Sequence, residues 1–119
     1  MLPGGCRNNN LGMEVPLNQE FKLKEGAQVH LTQENLIVKF MGEVKDNRCT
    51  GVCAWEGNAD VSVQIIGNNE TIENLVLNTT DQRGYSTTKD FGKYKIQMIR
   101  LEREGYLLPS YVLTLRVAK

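Results

Sequence analysis

From residue 20 onward, apolar and polar side chains alternate with a period of two. Phe21 and Leu23 alternate with Lys22 and Lys24, and Val29 and Leu31 flank His30. Leu36, Val38 and Phe40 share one parity with Val44, and Val61, Val63 and Ile65 alternate with Ser62, Gln64 and Ile66. Tyr111, Leu113, Leu115 and Val117 alternate with Val112, Thr114 and Arg116. Side chains on a strand point to opposite faces in turn, so each run describes a strand with one face on a core. No window of similar length carries the helical i, i+3, i+4, i+7 pattern.

Two runs are mixed. In 71–77, Ile72 and Val76 compete with Leu75 and Leu77 for the inward face. In 94–103 the apolar parity switches between Met98 and Ile99, which fits either a β-bulge or a strand buried on both faces. Turn formers separate the runs: Gly26, "GNN" at 67–69, "DQRG" and "KDFGK" between 81 and 93, and "EGYLLPS" at 104–110. The pattern predicts about seven strands, over 20–24, 28–32, 35–45, 59–66, 71–77, 94–103 and 111–118. The expected fold is an all-β, antiparallel two-sheet sandwich of immunoglobulin-like type, with a small β-barrel as the alternative. Residues 1–19 read as a flexible tether and 20–119 as the sandwich domain.

Length and charge narrow the function classes. A chain of 119 residues suits one domain able to bury its own core. Fourteen basic and fourteen acidic residues leave no net charge and no basic patch, which argues against nucleic-acid binding. No apolar run is long enough for a transmembrane helix.

Three cysteines carry the candidate chemistry. In "MLPGGC", small residues precede Cys6 as they do at the end of a bacterial lipoprotein signal, although a basic n-region and an apolar stretch are missing. Cys6 is therefore the candidate lipidation site, with "RNNNLGMEVPLNQE" as its tether. Cys49 and Cys53 are spaced C-x3-C, one residue longer than a redox C-x-x-C motif and without its βαβ context. A zinc site needs about four ligands, and one histidine plus a distant third cysteine do not supply them. A local disulfide between Cys49 and Cys53 or two free thiols remain, and the disulfide is the expectation. It requires an oxidising compartment, in agreement with export.

The run Asp46, Arg48, Cys49, Cys53, Trp55, Gly57, Ala59 resembles a motif, Asp-x-Arg-Cys…Cys-x-Trp-x-Gly-x-Ala, in small exported bacterial proteins, often lipoproteins and mostly of unassigned function. It covers about fourteen residues. The departures are Thr50, where the family often has proline, and a shorter gap between the cysteines. The resemblance implies export and an all-β fold, and no reaction.

Trp55 reads either as packing over the disulfide or as an exposed aromatic contact. Tyr106, Leu107 and Leu108, with Tyr111, place apolar groups around a connection where polar ones are usual, so they either contact a partner or plug the end of the sandwich. Arg48 reads as a surface partner of Asp46, Glu56 or Asp60, an arrangement that contributes little. His30 falls on the outward parity with no evident nucleophile beside it. No cofactor motif is present. The expectation is an exported or cell-envelope protein that binds an unknown protein or envelope component, with a loop-presenting enzyme inhibitor and, less favoured, a small hydrolase as alternatives.

Overall fold

The computed structural model describes residues 13–48, 57–67, 72–105 and 110–119. They form nine strands: β1 (Met13–Val15), β2 (Phe21–Lys24), β3 (Gln28–Leu31), β4 (Ile37–Asp46), β5 (Ala59–Ile66), β6 (Ile72–Asn78), β7 (Thr88–Phe91), β8 (Tyr94–Glu104) and β9 (Ser110–Ala118). There is no helix among the described residues. One sheet runs β1-β3-β4-β5-β6 and the other β2-β9-β8-β7, so the molecule is sandwich-like and not closed into a barrel.

The predicted inward residues make the core. Phe40, Leu23, Leu31, Leu36, Ile65, Leu77, Ile96, Leu113 and Leu115 are all fully buried between the sheets. On β6 the inward pair is Leu75 and Leu77, opposite Val63 and Val61, and Ile72 and Val76 face solvent. The parity switch on β8 is a bulge. Met98 lies opposite Leu115 and Arg100 opposite Thr114, which leaves Ile99 as the extra residue.

Two strands lie outside the predicted set. β1 falls within the expected tether and pairs in parallel with β3, so the sheet is not wholly antiparallel. Three residues are too few for a periodic signal, yet Val15 is buried and accepts the Thr32 N–H at 2.7 Å, and Leu17 packs on the core. β7 pairs with β8 through a two-residue turn, Gly92-Lys93, in which Gly92 takes a φ of +58°.

Thr114 sits on the outer face of β9 and is nevertheless buried. The register places it between Lys22 and Arg100, long side chains that reach toward Glu102 and Glu20 at 3.8 Å. Stems of this kind cover what lies beneath them. The Thr114 hydroxyl has no hydrogen-bond partner among the described residues. Thr114→Val keeps the shape and removes a desolvated polar atom from a central strand, so it is expected to raise stability by about 1 kcal/mol. A lower urea midpoint in the valine protein would contradict this.

Candidate functional site at the loop end of the sandwich

The stretch between β4 and β5 leaves the sheet through a closed neck. Asp46 pairs with Ala59 across the two strands, and one residue further the Asn47 N–H donates to the Asn58 carbonyl at 2.8 Å. Gly57 is required here. Its φ is +76°, and a Cβ would collide with the Asn47 carbonyl oxygen and lie 3.0 Å from the Arg48 Cα. Ala59 is fully buried. Its N–H donates to Thr79 Oγ1 and its carbonyl accepts the Thr79 N–H, both at 3.1 Å.

A charged clasp crosses from this neck to the other sheet. Arg48 donates from Nε to Asp46 Oδ1 and from Nη2 to Asp46 Oδ2, each at 2.8 Å, a two-pronged pairing that fixes both side chains. Its remaining nitrogen, Nη1, donates to the Leu101 carbonyl on β8 at 2.7 Å. The Tyr111 hydroxyl donates to Asp46 Oδ2 at 3.2 Å. The Asp46 side chain is only 12% exposed and that of Arg48 28%. This corrects the expectation of a dispensable surface pair: the carboxylate is largely enclosed and the guanidinium joins the sheets.

The electrostatics follow from those contacts. Hydrogen bonds from the Arg48 side chain hold the Asp46 carboxyl down at about 2, against an opposing desolvation effect. Arg48 is pushed up by the same hydrogen bonds. Burial first, and then the Asp46 charge, push up the Tyr111 phenol. A carboxylate ionised so firmly suits holding geometry rather than taking up a proton near neutral pH.

The second loop rises from the same place. Arg103 pairs with Tyr111 and Glu104 with Ser110, closing the base of 105–109. Glu25 Oε2 accepts the Tyr111 N–H at 2.9 Å. Tyr111 therefore belongs to the shared base: it is half-buried, packs on the core and bonds to Asp46, and is not part of a free contact loop. Sequence reasoning missed this role, although Tyr111 shares the parity of Leu113 and Leu115, and a tyrosine turned inward needs a partner for its hydroxyl.

The other expected residues fall elsewhere. Cys6, Cys49, Cys53, Trp55, Tyr106, Leu107 and Leu108 lie outside the described residues. His30 stands on the outer face of the five-stranded sheet, 3.3 Å from Glu14 through Nδ1. Asn78 is buried and donates to Asp60 at 2.8 Å. Among the described residues no cluster of His, Cys, Asp or Glu is arranged to hold a metal.

At the opposite end lies a groove of about 510 Å³, with Glu34, Phe91, Tyr94 and Lys119 in its lining. Tyr94 donates to Glu34 at 2.5 Å, and Lys119 reaches the same carboxylate at 3.3 Å. The bond to Glu34 pushes the Tyr94 phenol up to about 12. These groups satisfy one another.

In comparison with known proteins, no family model matches the chain, and neither a curated protein nor a solved structure is significantly similar to it.

Proposed function

We propose that this protein is exported and acts by binding a protein or envelope component at the end of the sandwich where β4 leads to β5 and β8 leads to β9. The observation that carries the reading is the shared base. Arg48 holds Asp46 and the Leu101 carbonyl at once, and Tyr111 reaches the same carboxylate, so the roots of both loops are fixed to one another. Loops carried on a rigid scaffold are where binding residues concentrate. Export belongs to the same proposal. Its support is the Cys6 context, the C-x3-C spacing with the proposed Cys49–Cys53 bridge, and the resemblance of the Asp46–Ala59 run to exported bacterial proteins. The immunoglobulin-like character enters as two-layer packing only. β3 to β6 run consecutively in one sheet and β2 lies beside β9, whereas an immunoglobulin domain divides its strands differently.

The enzyme-inhibitor reading is favoured by the same shared base, since an inhibitor also needs neighbouring loops held rigid. Photo-crosslinking residues placed at Trp55, at Leu107 and at Lys95 test both readings in the source organism. One common adduct from Trp55 and Leu107, absent from Lys95 at the far end, is expected. If the captured partner is an enzyme whose activity falls on adding the pure protein, the inhibitor reading is the right one. Adducts from Lys95 alone, or equally from all three positions, would refute loop-end binding.

A further inference from the structure

Among the described residues the two sheets have four edge strands, and they are not protected alike. β1 has three residues, and β2 and β7 have four each. β2 carries Lys22 and Lys24, and β7 carries Lys89 and Asp90. Short and charged edges of this kind resist pairing with other chains. β6 is different: seven residues, Ile-Glu-Asn-Leu-Val-Leu-Asn, with one charge, no lysine and no proline. Ile72 is 58% and Val76 50% exposed on it.

Asn78 lies opposite Asp60 of β5, yet its N–H donates to the Ser86 carbonyl at 2.8 Å and so points away from β5. Backbone groups alternate along an antiparallel strand. Ile72, Asn74 and Val76 therefore direct both N–H and C=O to the open side, while Glu73, Leu75 and Leu77 face β5. The connection through Ser86 closes the edge at Asn78, and among the described residues no strand pairs with 72–77 on that side.

We propose that this edge pairs with β6 of a second copy of the chain, antiparallel, about a two-fold axis through Asn74. In that register Ile72 faces Val76 of the other copy, Asn74 faces its equivalent, and Val76 faces Ile72. All three are hydrogen-bonded pairs, each exchanging both N–H···O bonds, so every open group of the three residues is used. The apolar side chains meet on the outer face. There they extend a row of isoleucines already formed across three strands by Ile37, Ile66 and Ile72. The single charge, Glu73, falls opposite Leu75, so no like charges meet. A register centred on Leu75 brings Ile72 against Asn78, whose N–H is already engaged, and uses fewer open groups. The outer-face positions Ile72, Asn74 and Val76 are alike on either side of Asn74, and this self-complementarity is what selects a second copy over an unrelated strand. The result joins two five-stranded sheets edge to edge.

Sedimentation velocity across a concentration series, with residue-resolved amide exchange on the same samples, tests this. A concentration-dependent dimer is expected, in which the amides of Ile72, Asn74 and Val76 gain protection as the dimer forms. The amides of Glu73, Leu75 and Leu77 should be protected throughout. Asn74→Lys combined with Val76→Lys sets like charges and lost apolar pairs across the axis, and should weaken association by about tenfold or more, with melting unchanged at concentrations where both proteins are monomeric. Gln64→Lys, on the same face but on β5, should leave the dimer intact. A monomer at every concentration with those three amides open would overturn the proposal and leave the edge for a different protein. Protection of the three amides in a monomer would overturn it in favour of a segment of the same chain. A dimer indifferent to the double substitution would place the contact elsewhere.

Discussion

Gly57→Ala is expected to lower folding stability by roughly 3 kcal/mol. Two causes add. A left-handed backbone costs an L-residue about 1–2 kcal/mol, and Gly57 has a φ of +76°. The new Cβ also collides with the Asn47 carbonyl oxygen and crowds the Arg48 Cα. Those are backbone atoms of the neck, and they cannot retreat without opening the Asn47–Asn58 hydrogen bond at the root of the loop. Gly84→Ala separates the two causes. Gly84 has a φ of +84°, and nothing lies within 4 Å of where an added methyl would stand, so its alanine variant should lose only about 1–2 kcal/mol. Urea unfolding of both variants checks the difference. Equal losses would mean that the neck yields and that the collision is relieved at no cost.

Asp46→Asn is expected to remove about 2 kcal/mol at neutral pH and to change the acid limb of the stability curve. The folded Asp46 carboxyl sits at about 2, whereas an unfolded aspartate titrates near 3.9. A carboxyl depressed on folding contributes stability that is complete above the unfolded value. That contribution is lost as the pH falls from about 4 to about 2. In the asparagine variant this part of the slope disappears, because the group no longer ionises in either state. Arg48→Lys should not preserve the clasp, since an ammonium cannot make the paired Nε and Nη2 contacts while reaching Leu101. An Asp46→Asn protein with the wild-type stability at pH 7 and the same loss in acid would remove the clasp as a stabilising element.

The two bulges explain which parts of the fold were legible in the sequence. On β8 one extra residue, Ile99, reverses the parity of everything after it, and the reversal is visible as the switch from Ile96 and Met98 to Leu101. On β4 the register runs from Phe40 opposite Val63 to Val44 opposite Val61. Two residues are therefore inserted, and an even insertion restores the parity. Phe40 and Val44 read as one uninterrupted strand, and only Gly42, with a φ of +84°, marks the irregularity. β1 and β7 were illegible for a different reason: strands of three and four residues are held by their neighbours and carry no period of their own. The site divides in the same way. Asp46, Arg48, Gly57 and Ala59 stood out by spacing, but the partners that give them a role, the Leu101 carbonyl and Tyr111, lie more than fifty residues away. A backbone carbonyl leaves no mark in a sequence, so Arg48 resembled any exposed arginine.

The claim on which the functional reading rests is that one clasp fixes the roots of both loops. The most direct measurement is an NMR pH titration of the Asp46 carboxyl carbon in the intact protein, with the Arg48 Nε–H followed in the same spectra. A midpoint at about 2, with the Arg48 signal shifting over the same pH range, is the predicted result. A midpoint near the ordinary aspartate value of about 3.9, with Arg48 unresponsive, would contradict it.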